Sequence, residues 1–149
     1  MALAAEITGR FGSRPQTGLT RKLKADALRL SKQYDAAVKT YSELFAVREW
    51  RGPLIPESLY RIGCCLESQG KSDEAFAFFQ RVYVLYEGYA DWSAKAYEGS
   101  VRCLEKLGRR DDVLKTLREM LANADIAATP EGQRAEVLLN KLSPSGIRN

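Results

Sequence analysis

The chain has few residues that could carry out covalent or metal chemistry, and their spacing argues against it. Cys64 and Cys65 are adjacent and Cys103 stands far off, which matches no zinc pattern, and there is no His anywhere to supply a further ligand. Without His, neither a Ser-His nor a Cys-His nucleophile pair can be assembled. The paired acids Asp111 and Asp112 fall at a helix start, where carboxylates complement the helix dipole. The glycine-rich stretch from Gly9 to Gly18 lacks the Lys-Ser/Thr ending of a phosphate loop and has no strand before it. No catalytic residue, metal ligand or cofactor-binding residue is therefore assigned. The expectation is a non-enzymatic protein with no cofactor and no small-molecule substrate.

What the sequence does contain is a period. Leu28, Leu66 and Leu104 are 38 residues apart, as are Ala37, Ala75 and Val113; Tyr41, Phe79 and Leu117; and Leu44, Val82 and Met120. Cys65 and Cys103 keep the same step beside two of those leucines, as small core residues would. Self-similarity at a period of roughly 20 to 50 residues marks stacked units, each too small to bury its apolar face alone. The expected fold is all-α: a solenoid of antiparallel helix pairs, with about three repeats of 38 residues and flanking half-repeats.

The unit is clearest in the middle. Leu59, Ile62, Gly63 and Leu66 share one helix face, Gly70 stops that helix, and Asp73 is placed to cap a second helix carrying Ala75, Phe79 and Val82. Stepping by the period gives Asp35 and Asp111 the same capping role, and puts Gly108 and Lys32 where Gly70 stands. Gly52, Pro53 and Pro56 mark a connector, with Pro56 in the first turn of a helix. Thr129 and Pro130 open one more first helix, which the tail from Ser143 ends. Met1 to about Phe11 falls on the back half of a preceding second helix. A single domain results: residues 1–17 the end of a helix and a connector, repeats at 18–55, 56–93 and 94–129, a capping helix at 130–142 and a tail at 143–149. Half-units at both ends suggest a segment cut from a longer array, with half-units serving as caps the alternative.

Charge and compartment are less specific. The 23 Lys and Arg against 19 Asp and Glu leave +4, with both signs interspersed, which suits a solvated surface. No run approaches the 18 or so apolar residues of a membrane span, so no membrane insertion is expected. Three cysteines without a disulfide framework favour a reducing compartment, cytoplasmic for the chain as given and envelope-associated if it is a piece of a secreted parent.

These residues resemble the tetratricopeptide repeat family across nearly the whole chain. The second unit matches with Leu59, Ile62, Gly63, Leu66, Ala75, Phe79 and Val82. The third matches with Tyr97, Leu104, Leu117 and Met120, and the first with Ala25, Leu28, Ala37, Tyr41 and Leu44. The third has Ser100 and Val101 where Leu and Gly are usual, and the period exceeds the family's usual 34 by about one helical turn. The stretch from Leu85 to Tyr97 is similar to bacterial members.

The resemblance implies a right-handed superhelix whose first helices line a concave groove for an extended peptide or a partner's helix. It places Lys22, Asp26 and Arg29, then Glu57, Tyr60 and Cys64, then Lys95, Glu98 and Arg102 on that groove. The family's clamp for a terminal carboxylate is not expected, since Asp26 follows Lys22 and Gly99 stands where an Arg is needed. Tyr60 and Arg102 are the best single contacts, because Tyr and Arg dominate binding hot spots. The leading expectation is a scaffold binding a protein or peptide. The alternatives are a single-stranded RNA binder, disfavoured by the acids near the groove, and a self-associating module. Tyr83, Tyr86, Tyr89 and Trp92 could form a stacking surface, though packing between repeats is the simpler role.

Overall fold

The computed structural model describes residues 15–46 and 52–143. The expected helix over Met1 to Phe11 and the tail beyond Ser143 lie outside the described residues. The helices are α1 (Pro15–Leu30), α2 (Tyr34–Glu43, followed by a 3-10 turn at Leu44–Ala46), α3 (Leu54–Ser68), α4 (Ser72–Leu85), α5 (Ala90–Lys106), α6 (Arg110–Ala122), the short α7 (Ala124–Ala127) and α8 (Pro130–Leu142). No strand occurs among the described residues. α1 begins inside the stretch read as a connector, with Pro15 at its first position, where a missing N–H costs nothing.

The helices pack as pairs in a row. Within pairs, α1 meets α2, α3 meets α4 and α5 meets α6; each second helix then packs on the next first helix, and α1, α3, α5 and α8 touch in succession. This is an α/α solenoid. The period is visible in the core: Ala37, Ala75 and Val113, Tyr41, Phe79 and Leu117, and Leu44, Val82 and Met120 are all 2% exposed or less. One cluster runs from Ala25 across the first two pairs to Ala96 and Cys103 of α5, a second from Ala94 to Ala135 across α5 to α8, and Phe76 and Tyr97 pack against both.

Phe79 is held from both sides. A Cβ on Gly63 of α3 would lie 2.5 Å from its ring, and a Cβ on Gly99 of α5 would lie 2.8 Å away. Two bare backbones thus clasp one ring, whose burial stabilises the fold by about 2–3 kcal/mol. The same contact explains why Gly99 carries no groove side chain.

Each hairpin closes through the same three-residue link. Lys32, Gly70 and Gly108 adopt φ values of 62°, 77° and 70°. The N–H groups of Gln33, Lys71 and Arg109 donate back to the carbonyls of Leu28, Leu66 and Leu104 at 2.8, 2.9 and 3.0 Å. Those of Lys32, Gly70 and Gly108 donate to Arg29, Glu67 and Glu105 at 3.0, 3.0 and 3.1 Å, completing a Schellman motif at each turn.

That geometry corrects the capping role expected of Asp35, Asp73 and Asp111. The residues at the caps are Gln33, Lys71 and Arg109, and none makes a side-chain capping bond. Each of them ends one motif and starts the next helix, its carbonyl accepting from Ala37, Ala75 or Val113. No residue is left over to cap, and the three aspartates sit in the first turn, where they favour the dipole. α8 follows the expectation instead: Thr129 Oγ1 accepts from Gly132 N–H at 3.0 Å, with Pro130 next to it. The sequence gives no warning of α7, which Asn123 caps and whose Ile126 is 1% exposed.

Candidate functional site

The residues placed on the first helices recur at helical spacing on one face of each. Lys22, Asp26 and Arg29 lie on α1; Glu57, Tyr60 and Cys64 on α3; Lys95, Glu98 and Arg102 on α5. The structure joins most of them through bridges between neighbouring first helices. Lys22 Nζ sits 3.0 Å from Asp26 Oδ2 and 2.6 Å from Glu57 Oε2, linking α1 to α3. Arg102 grips Glu67 with two bonds of 3.0 and 3.1 Å, linking α5 to α3. Arg134 grips Glu98 at 2.9 and 3.2 Å, and Lys95 donates to Glu131 at 2.7 Å, linking α8 to α5.

Opposite charges set 35 or 36 residues apart form these bridges, not residues at the full period of 38. Adjacent first helices are offset by part of a turn, so the facing residue comes slightly early. That spacing was present in the sequence, and it is the signal by which Glu67, Glu131 and Arg134 could have been found.

Burial and partners set the protonation of these groups. Burial alone would lower the Lys22 pKa, but Glu57 and Asp26 reverse that and hold the ammonium above its ordinary value. Burial would raise Glu131, but the bonds from Lys95 and from its own backbone bring it below the ordinary carboxylate range. The bonds to Glu67 raise Arg102 in spite of burial. At the end of α1, Tyr41 donates to Asp26 and accepts from Arg29 Nε at 3.3 Å. Its hydroxyl is pushed well up, first by burial and then by Asp26.

Between the bridges lies a less polar centre. The Tyr60 ring packs against Phe79 at 5.7 Å and Trp92 at 5.8 Å, and the Arg61 guanidinium lies 5.5 Å from the Tyr60 ring and 5.8 Å from that of Trp92. Arg61 Nε is buried with no hydrogen-bond partner among the described residues. Burial pushes the Tyr60 hydroxyl up to about 12 and raises the Cys64 thiol, which is bonded to it. Arg61 was missed because it falls outside the groove positions of the family pattern, whereas Trp92 was read only as part of a stacking surface or of packing between repeats. The other thiols, Cys65 and Cys103, are buried and pushed up to about 11, the environment of inert core cysteines.

The spaced aromatics divide between packing and exposure. Tyr83 stacks on Tyr97 with ring centres 3.7 Å apart and bonds Ser100, joining α4 to α5. Trp92 reaches back to Tyr60, while Tyr86 and Tyr89 meet each other at 6.5 Å. No group of three or more His, Cys, Asp or Glu side chains suited to a metal ion occurs among the described residues.

A row of helix pairs whose first helices present a shared polar face defines a repeat scaffold of the protein-interaction class. Residues 57–88, which take in most of α3 and all of α4, match the family model described as tetratricopeptide repeat, and the chain carries a repeat of that family. No curated protein matches the chain significantly. Domains built from such repeats generally bind proteins or peptides and are typically non-enzymatic. No described helix is long and apolar enough to cross a membrane.

Proposed function

We propose that this protein holds an extended peptide or a partner's helix along the face formed by α1, α3 and α5, with Tyr60 and Arg61 as the central contacts. The observation carrying this reading is the Tyr60–Arg61–Trp92 cluster set between two groups of ion pairs. An apolar centre with a polar rim is the anatomy of a protein interface, and Tyr, Trp and Arg are the residues that dominate its binding energy. The partnerless Arg61 Nε supports the same reading, since a buried donor of that kind gains most from a ligand carbonyl or carboxylate.

Arg102 takes a lesser part than its residue type suggests. Its fork is already filled by Glu67, so a ligand would have to compete with a formed bidentate pair. The outer groove residues Lys22, Asp26, Arg29, Glu57, Cys64, Lys95 and Glu98 act in this reading as the rim that sets register. Their mutual pairing also disfavours single-stranded RNA. Lys22, Lys95, Arg102 and Arg134 all face acids, so a phosphate chain on this face would have to displace those carboxylates.

The test is selection of a displayed random-peptide library on the full chain, followed by calorimetric titration of the recovered peptide. Tyr60→Ala and Arg61→Ala are expected to weaken binding by tenfold or more, as for hot-spot truncations of about 1.4 kcal/mol or above. Arg102→Ala should change it less. Unaltered affinity in both central variants, with melting temperatures preserved, would refute the site.

A further inference from the structure

The charges on α3, the middle helix of that face, do not balance within the fold. Its charged residues are Glu57, Arg61 and Glu67. Both acids are drawn to cations of neighbouring helices, Glu57 to Lys22 of α1 at 2.6 Å and Glu67 to Arg102 of α5 at 3.0 Å. Further along, Lys95 and Arg134 meet Glu131 and Glu98, and Arg29 meets the Tyr41 hydroxyl. Arg61 has no carboxylate partner among the described residues, and its Nε has no acceptor. The guanidinium lies against the rings of Tyr60 and Trp92 instead. Rings attract the charge and displace water from it, but they offer its N–H groups no oxygen.

We propose, on the reading that this face docks a peptide, that the ligand carries an aspartate or glutamate within its length, seated on Arg61 beside Tyr60 and Trp92 and flanked by uncharged residues. The argument is charge complementarity. One unopposed positive charge calls for one negative charge. A second ligand acid would have to displace Glu57 or Glu67 from a formed pair, and a basic ligand residue would be repelled by Arg61.

Nothing at the seat competes for the guanidinium. Burial pushes the Tyr60 hydroxyl up to about 12 and raises the Cys64 thiol, so both neighbours are uncharged at neutral pH. A carboxylate is favoured over a ligand backbone carbonyl because hydrogen bonds between ionised partners are roughly twice as strong as neutral ones. The aromatic surroundings strengthen the pair further by lowering the local dielectric. A side chain suits the place better than a chain end. α3 stands between α1 and α5, so the ligand backbone has surface to follow in both directions from Arg61.

The experiment selects two displayed random-peptide libraries on the full chain, one complete and one encoding neither Asp nor Glu. Recovered peptides are synthesised with acetylated and amidated ends and titrated by calorimetry. The complete library should return peptides sharing one acid, and the acid-free library none within about tenfold of their affinity. Replacing that acid by its amide should weaken binding at least about tenfold on the unaltered chain and no more than about threefold on Arg61→Gln. Arg61→Lys, which keeps the charge, should retain part of the discrimination, and the comparison on the unaltered chain depends on no variant folding.

Peptides that lose affinity with Tyr60→Ala yet bind equally as acid and amide would overturn the carboxylate while leaving the docking face standing. Discrimination that survives Arg61→Gln would also overturn it, as would binding that requires a free C-terminus, which would assign the charge to a chain end. Recovery of no peptide from either library would remove the docking face itself and this inference with it.

Discussion

Relative to Lys32→Ala, which likewise lacks the ammonium, replacing Lys32 with Gly is expected to stabilise the protein by about 0.5–1 kcal/mol, the balance of two opposing backbone effects. Lys32 adopts φ 62° at the position held by glycine in the other two hairpins. For a residue with a Cβ that conformation costs about 1–2 kcal/mol. Glycine removes the cost but adds unfolded-chain entropy worth roughly 0.5–1 kcal/mol, which leaves the net gain. In a domain of this size the gain corresponds to a rise of about 1–4 °C in melting temperature.

The internal controls are Gly70→Ala and Gly108→Ala. Nothing lies within 4 Å of a Cβ added at either position, so only the backbone term is tested there. Each should cost about 1 kcal/mol, opposite in sign to the Lys32 change. Lys32→Ala separates out the favourable charge at the helix end, worth about 0.3–1 kcal/mol, because it removes the ammonium and keeps the Cβ. Urea titrations with a common slope would give all four values. A Lys32→Gly protein no more stable than Lys32→Ala would show that left-handed strain is not what distinguishes the first hairpin.

Three further outcomes follow from the packing. Gly63→Ala should cost about 1–3 kcal/mol by forcing the Phe79 ring aside, and adding Phe79→Leu should recover part of the loss; additive losses in denaturant melts would refute the clasp. Thr129→Ala should cost about 1 kcal/mol by freeing the Gly132 N–H, seen as faster amide exchange in α8 before the other helices. Stability should fall at alkaline pH, because Cys65 and Cys103 are raised to about 11 and Tyr83 to about 12, so the folded state keeps protons that the unfolded chain releases. This stabilisation is complete below the unfolded values of about 8.5 for Cys and 10 for Tyr, and disappears as pH rises through the folded ones. Circular dichroism that stays native at pH 12 would contradict it.

Fold and site were legible in the sequence to different depths. The core was readable because a stacked array repeats its burial, so Phe79 and its counterparts Tyr41 and Leu117 announce one another. Capping was misread because Asp73 has the right residue type, while the tight link to Lys71 hands the capping position to a residue chosen for the preceding turn. Groove positions came from the family pattern, which names a face without naming partners. The bridges between helices depend on the offset of neighbouring first helices, a three-dimensional quantity that shows in the sequence only as charges 35 or 36 apart. α7 was invisible because four residues are too few to display a period.

The ring of Phe79 also has a mechanical meaning. It fills the seam inside the second hairpin and, with its other edge, the seam between that hairpin and the third. Tension applied to the two ends of the chain would have to dislodge the same side chain to open either seam. The second and third hairpins should therefore give way in one rupture, so that under load the middle of this protein behaves as a single element.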